Sequence, residues 1–424
     1  MGSETASPVL SENLSSILAA ARPFLRSELA SIDPSLPSFV DILHSVGADE
    51  CWHKHSTFFS HLFDIYRILK LWRTPDSVAR CGLFHSAYSN SYVNLAIFDP
   101  GTSRSHARSL IGEEAERLVY LFCVVPRQQL IHDDLLFHYS DSDLKEHLAL
   151  SENSVKEAKE KGIFDADQAW RKKVQDLLPA EGIKVKHIKT GEEVLISRRQ
   201  VAVFVLMTMA DFSDQLFQWQ DKLFENEDGK LEFKGSVPSA LWPGEGKPGL
   251  WMSSISRMGV LYSLIAREEK IYIEERKQKG VEHEDNRDEE IVLVIPPVFD
   301  YCTKVLDAKE QILARDLYWK AVCSNGDDQD NKVERLLIEA SEKNPFVGEP
   351  RLVLAQVYLN ARRYEEAEKE AAMGLRLILE WGSCWDKRMT WEGWISWGRQ
   401  MLGKAKERDW PTHAWGILNL GLVK

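Results

Sequence analysis

Across "STFFSHLFDIYRILKLW" the apolar positions Phe58, Leu62, Ile65, Leu69 and Trp72 recur every three or four residues, which predicts an amphipathic helix. Pro75 ends it. "PDSVARCGLFH" predicts a second helix, with Asp76 as its cap or first-turn acid and His85 at its end. "SRSHARSLIGEEAERLVYLFCVV" predicts a third, with Leu118, Leu121, Phe122 and Val125 on one face. Residues 140–182 are charged and helical in character. "IKVKHIKTGEEVLIS" alternates apolar and polar residues around Thr190 and Gly191, the pattern of a small β-hairpin. Ser197 then caps "RRQVAVFVLMTMADFSDQLFQW", which is nearly all apolar from Val201 to Ala210 and predicts a buried central helix.

The punctuation between these runs suggests the domain plan. Residues 1–36 are a Ser/Pro-rich lead with a short helical stretch around 11–31, and residues 37–225 form a helical domain. Residues 226–330 form a loop and helical connector, opened by the Pro/Gly-rich stretch 236–250. The connector holds a long helix at about 252–279, a solvated acidic loop at 282–290, and a helix from Pro297 to Cys323. A linker at 325–331 leads into a C-terminal helical domain, 331–424, whose apolar end is expected to dock as a last helix. The fold class is therefore mainly α, with one small hairpin.

Composition narrows the function classes. The 424 residues are 44% hydrophobic and 28% charged, ordinary values for a globular chain, so a large core is available. A net charge of −12 argues against a general nucleic-acid binder. No apolar run approaches the length of a membrane span. The opening "MGSETASPVL" is no secretory signal, and Ala6 stands where myristoylation favours Ser or Thr. None of the six cysteines forms a C-x-x-C pair, which suits reduced thiols and a cytoplasmic protein, with nucleus or organelle left open.

Candidate chemistry centres on histidine. His53, His55, His61 and His85 fall within one short segment. Two antiparallel helices joined at Pro75 could bring His61 and His85 together. Asp211 lies inside the most apolar helix, where a carboxylate needs a cation, a hydroxyl, an arginine or a backbone amide as partner. His53 and His55, two positions apart, cannot share one helix face. Histidine and carboxylate donors suit Zn, Fe or Mn. Arg104, Arg108 and Arg127, with His106 nearby, are candidate phosphate contacts; the alternative is ordinary ion pairing with neighbouring glutamates. Trp391, Trp394 and Trp397, at helical spacing, suit packing between helices more than a ligand cage.

"KHSTFFSHLFDIYRILKLW" and "GLFHSAY" resemble an uncharacterised HD-like family of plants, algae and bacteria. Across residues 40–225 the chain also resembles the guanosine-tetraphosphate hydrolase branch of the HD superfamily, through the interval from His61 to His85, "LIGEEAERLVYLF" and "MADFSDQ". The resemblance implies metal ligands His61, His85 and Asp211, with His55 added by the nearer family. The chain departs from the pattern at Ser86, where the superfamily has aspartate, and at Ser89 and Asn90, where the hydrolase branch has an acidic pair. Serine and asparagine cannot act as a general base near neutral pH.

"EPRLVLAQVYLNARRYEEAEKEAAMGLRL" resembles a tetratricopeptide unit, through Ala355, Tyr358, Tyr364, Ala367, Ala371 and Gly374. A single unit needs flanking helices to complete it. Two functions follow as expectations. One is a non-catalytic ligand-binding or adaptor protein that engages a protein partner through the C-terminal repeat; the missing carboxylates favour this one. The other is a metal-dependent phosphohydrolase acting on a nucleotide or other phosphorylated small molecule.

Overall fold

The structure is a computed structural model describing residues 8–53, 56–89, 96–98, 104–127, 129–215, 251–280, 288, 291–323 and 330–423. It is mainly α-helical. In chain order the first elements are α1 (Pro8–Leu25), α2 (Leu29–Ile32), α3 (Leu36–Ser45), β1 (Trp52–His53), β2 (Ser56–Thr57), α4 (Phe58–Leu71), α5 (Asp76–Leu83), α6 (Arg104–Ile111) and α7 (Glu113–Val124). Then come α8 (Asp141–Lys161), α9 (Ala169–Leu177), β3 (Ile183–Lys186), β4 (Glu193–Ile196), α10 (Arg198–Asp214) and α11 (Trp251–Gln278). The last are α12 (Phe299–Cys302), α13 (Ala308–Val322), α14 (Asp330–Lys343), α15 (Glu349–Asn360), α16 (Tyr364–Trp381), α17 (Trp391–Glu407) and α18 (Ala414–Leu418). β1 pairs with β2 and β3 with β4, both antiparallel. Among the described residues no helix is long and apolar enough to cross a membrane.

The chain forms two compact units: a central unit of residues 35–212 and 254–299, and a terminal unit of 1–34, 213–253 and 300–424. This differs from the linear plan 1–36, 37–225, 226–330 and 331–424. Most of α11, expected as a connector, belongs to the central unit. Buried ion pairs fix it there: Glu268 with Arg171 of α9 at 2.7 Å, and Glu269 with Arg199 of α10 at 3.0 Å. The end of α10 belongs instead to the terminal unit, where Ser383 Oγ donates to the Ser213 carbonyl at 3.3 Å.

Within the central unit, Ser197 caps α10 as expected. Its Oγ accepts from the Gln200 N–H at 3.2 Å, and Gln200 Oε1 accepts from the Ser197 N–H at 3.1 Å. The run from Val201 to Ala210 is buried throughout. The third predicted helix is two. Gly112, at φ +93°, breaks it between α6 and α7, a backbone state that glycine adopts without a Cβ clash. Asp288, read as part of a solvated acidic loop, is 5% exposed; it accepts from Ser197 Oγ at 2.5 Å and pairs with Arg117. The rest of that acidic stretch, and the loop at 236–250, lie outside the described residues.

The terminal unit stacks α13 to α17 in succession, with α1 against α16. A Cβ on Gly374 would come within 2.8 Å of Leu352 and one on Gly398 within 2.7 Å of Leu375, so glycine lets these helices approach closely. The expected helix from Pro297 to Cys323 is interrupted. Asp307 caps α13 instead, its carboxylate accepting from the Lys309 N–H at 2.8 Å. Trp391 and Trp394 are buried, in keeping with helix packing. The apolar chain end docks only in part: Trp410 is buried and Gln400 Nε2 donates to the Leu420 and Gly421 carbonyls at 3.3 and 2.8 Å, but α18 is one short turn, with Trp415 74% and Leu418 75% exposed.

One carboxyl in this unit makes a pH prediction. Glu349 is buried and accepts from the Asp386 N–H at 3.1 Å. Burial pushes it from its ordinary 4.5 up to about 7. As pH rises, the unfolded chain loses this proton first. The contribution to stability is therefore full below about 4.5 and is lost as pH climbs through about 7. Glu349→Gln keeps the acceptor and removes the titration. Measured against the parent by urea unfolding, it is expected to gain about 3 kcal/mol between pH 4 and pH 8. A difference that does not change with pH would contradict this.

Candidate metal centre

The site begins at the β1–β2 turn. His53 pairs in register with Ser56, and Thr57 caps α4 by accepting from the Ser60 N–H at 3.1 Å. Phe58, Leu62, Ile65 and Leu69 bury one face of α4, and this fixes the rotation of the helix. His61, one turn before Ile65, is carried into the interior with them and is 1% exposed. α5 packs against α4 at Gly82, where a Cβ would overlap the Leu69 side chain. α5 ends at Leu83, and His85 follows just past the helix, 4% exposed.

Hydrogen bonding sets the tautomer of His85. A carbonyl can only accept, so the 2.8 Å contact between Nδ1 and the Gly82 oxygen makes Nδ1 the protonated nitrogen. Nε2 is left with its lone pair, the arrangement found in metal-bound histidines. Burial, partly opposed by Asp211, lowers the His85 pKa to about 4, so the ring is neutral near pH 7, as a ligand must be. Cys123 of α7 donates to the His85 carbonyl at 3.1 Å and anchors its backbone.

Asp211 comes from the buried helix α10. One carboxylate oxygen lies 3.3 Å from His61 Nε2, and the side chain is 15% exposed against 2% for His61. One donor atom each from His61, His85 and Asp211 lies within 4.8 Å of the others. Two imidazoles and a carboxylate fit Zn, Fe or Mn.

The remaining candidates separate. His55 lies outside the described residues. His53 stands beside the cluster instead, its ring 4.5 Å from that of His61. Arg104 and Arg108 are committed elsewhere: both donate to the fully buried Glu116, at 2.7 and 2.9 Å, and Tyr88 Oη adds a third donor at 2.8 Å. Burial pushes the Glu116 carboxyl up, but these hydrogen bonds outweigh it and hold the group below the ordinary carboxylate range. Ion pairing, not a phosphate clamp, thus accounts for Arg104 and Arg108. His106 is exposed. Arg127 alone of the three arginines is buried near the cluster, with its guanidinium 3.6 Å from the centre of the Phe122 ring, which in turn meets the edge of His85 at 6.1 Å.

Sequence patterning did not single out Glu116, Gly82 or Cys123. Glu116 is one of three acids in the first turn of α7 and carries no signal that separates it from the other two. Gly82 offers its backbone carbonyl to His85 and room for Leu69, and the Cys123 thiol bonds a backbone carbonyl on another element; apolar periodicity encodes neither.

No curated protein and no solved structure matches the chain. A family model described as a domain of unknown function (DUF6817) matches residues 42–127, a segment that includes His61 and His85 and ends before Asp211.

Proposed function

We propose that the chain is a divergent HD-like protein whose central unit holds one divalent transition metal on His61, His85 and Asp211, and which binds a ligand rather than hydrolysing one. The observation that carries this reading is the convergence of those three donors from α4, the end of α5 and α10. A bound Mn, Fe or Zn ion would supply Lewis acidity to a ligand oxygen. The chain's own residues hold the three donors in place, keep His85 neutral and set its tautomer. Ser86 and Ser89 are buried at 2% and 6%, and neither side chain can take a proton near neutral pH. The tetratricopeptide-like stack of α15 and α16 is proposed as the surface for a protein partner. A cytoplasmic location suits the six free cysteines.

Metal analysis of the purified chain tests the reading. About one equivalent of Mn, Fe or Zn, present or regained on reconstitution, is expected. Less than about a tenth of an equivalent after reconstitution would remove its basis. A second reading, a metal-dependent phosphohydrolase, is favoured by Arg127, a buried guanidinium close to His85 that suits a phosphate. Metal-dependent release of phosphate or pyrophosphate from a panel of nucleotides, lost in His61→Ala, would select it over the binding role.

A further inference from the structure

The tail of the terminal unit is held at two points. Trp410 is buried, and its Nε1 donates to Asn360 Oδ1 at 2.8 Å. Further on, Gln400 Nε2 of α17 donates to the Leu420 and Gly421 carbonyls at 3.3 and 2.8 Å. Between and beyond these anchors large apolar side chains face water. Trp415, Leu418 and Leu422, at 74%, 75% and 93%, are the three most exposed large apolar side chains among the described residues. Apolar side chains scattered singly over a surface are ordinary, whereas a cluster of large ones marks an interaction site.

A concave surface lies beside that tail. α1, α16, α17 and residues 420–423 line a groove of about 490 Å³, with Leu14, Leu18, Leu375 and Leu379 among its walls. Leu422 stands at this groove yet is the most exposed of the three tail side chains, so the tail forms a rim and leaves the hollow unfilled. Lys404 on the wall pairs with Glu407 at 2.8 Å and Asp409 at 3.2 Å, which neutralises it. A protruding apolar part and a hollow apolar part thus adjoin on one unit of one chain. A two-fold axis requires that arrangement. In an isologous contact both copies offer the same patch, so what protrudes on one must enter what is hollow on the other. An unrelated partner would need only one of the two parts.

We propose that the terminal unit pairs with a second copy of this chain about a two-fold axis, Leu418 and Leu422 of each copy entering the leucine groove of the other. Trp415 is buried in the same contact. The pairing takes from water the side chains that a single chain leaves most exposed, together with the walls of both grooves. The anchors at Trp410 and Gln400 hold the tail in place beforehand, so little ordering entropy opposes the contact.

Sedimentation velocity of the full chain over a concentration series tests this. A reversible dimer with a dissociation constant of about 1–50 μM is expected. Leu418→Asp/Leu422→Asp changes side chains that water already surrounds in the single chain. It is expected to keep the melting temperature of the dilute parent and to raise the dissociation constant by at least about tenfold. Gly403 lines the groove, and a Cβ there meets nothing within 4 Å, so Gly403→Phe fills the hollow without a clash and is expected to weaken the dimer likewise. Mixing the two variants restores one contact. The intact tail of the Gly403→Phe chain enters the open groove of the Leu418→Asp/Leu422→Asp chain, and a mixed dimer is expected at a concentration where neither variant pairs with itself. A full chain that stays monomeric at about 100 μM would overturn the proposal. Parental dimerisation in Leu418→Asp/Leu422→Asp or in a folded Gly403→Phe chain would overturn it, as would a mixture that forms no mixed dimer. Capture of a monomeric chain by neutral phospholipid vesicles would assign the tail to a lipid surface instead.

Discussion

Asp211→Ala is expected to lower bound metal from about one equivalent to below about a tenth, and to abolish the rise in melting temperature that added metal gives the parent. Asp211 contributes the one anionic donor of the three, so its loss leaves a dication on two neutral imidazoles. A ligand present at about a hundredfold its dissociation constant stabilises a fold by about 2.7 kcal/mol. The metal-dependent shift is thus large enough to read by thermal melting. Asp211→Asn separates charge from shape: it preserves an oxygen near His61 Nε2 but not the negative charge, and should bind metal far more weakly than the parent. His53→Ala is the contrasting variant. His53 neighbours the His61 ring but lies outside the three-donor group, so its substitution should leave metal content near the parent value. Parental metal content in Asp211→Ala would defeat the assignment of ligands.

Glu268→Ala is expected to destabilise the central unit by about 3–5 kcal/mol. Glu268 is fully buried and takes both prongs of the Arg171 guanidinium, at 2.7 and 3.1 Å. Gln175 Nε2 adds a third donor at 2.7 Å. Truncation leaves Arg171, 2% exposed at its side chain, with Glu275 at 3.6 Å as its remaining ion-pair contact. An uncompensated charge in the interior costs more than the pair itself contributes. The double variant Arg171→Met/Glu268→Met should therefore recover most of the loss. Because the chain has two units, the measurement must report on one of them. Hydrogen exchange of the α9 and α11 amides under increasing urea does so. A loss below about 1 kcal/mol in Glu268→Ala would mean that water reaches Arg171.

Much of the central unit can be read from periodicity. The stripe Phe58, Leu62, Ile65 and Leu69 predicts α4, and the alternation around Thr190 and Gly191 predicts β3 and β4. The breaks are harder. Gly112 carries no neighbouring proline or second glycine, yet its positive φ separates α6 from α7. Asp307 is an ordinary cap residue inside a helix-forming run, and the chain folded around it decides that α13 starts there. The apolar end at 410–424 looks fit to dock as one helix, yet Trp410 is buried while Trp415 and Leu418 stay exposed.

The candidate site divides in the same way. Residue types and spacing, together with the likeness to HD domains, single out His61, His85 and Asp211. They also offer Arg104 and Arg108, which pair with Glu116 instead, and His55, which lies outside the described residues. Pairing that helical periodicity does not encode makes the difference: Glu116 takes Arg104 and Arg108 from the preceding helix, and across much longer stretches of chain Glu268 takes Arg171 and Asp211 reaches His61. The sequence by itself determined the helical class, the hairpin and the types of donor atom, because each is set by residues a few positions apart. Only the tertiary structure decided which charges neutralise one another and which remain near the cluster. That choice depends on distances between helices far apart in sequence, and the free energy of a charge depends on its surroundings more than on its identity.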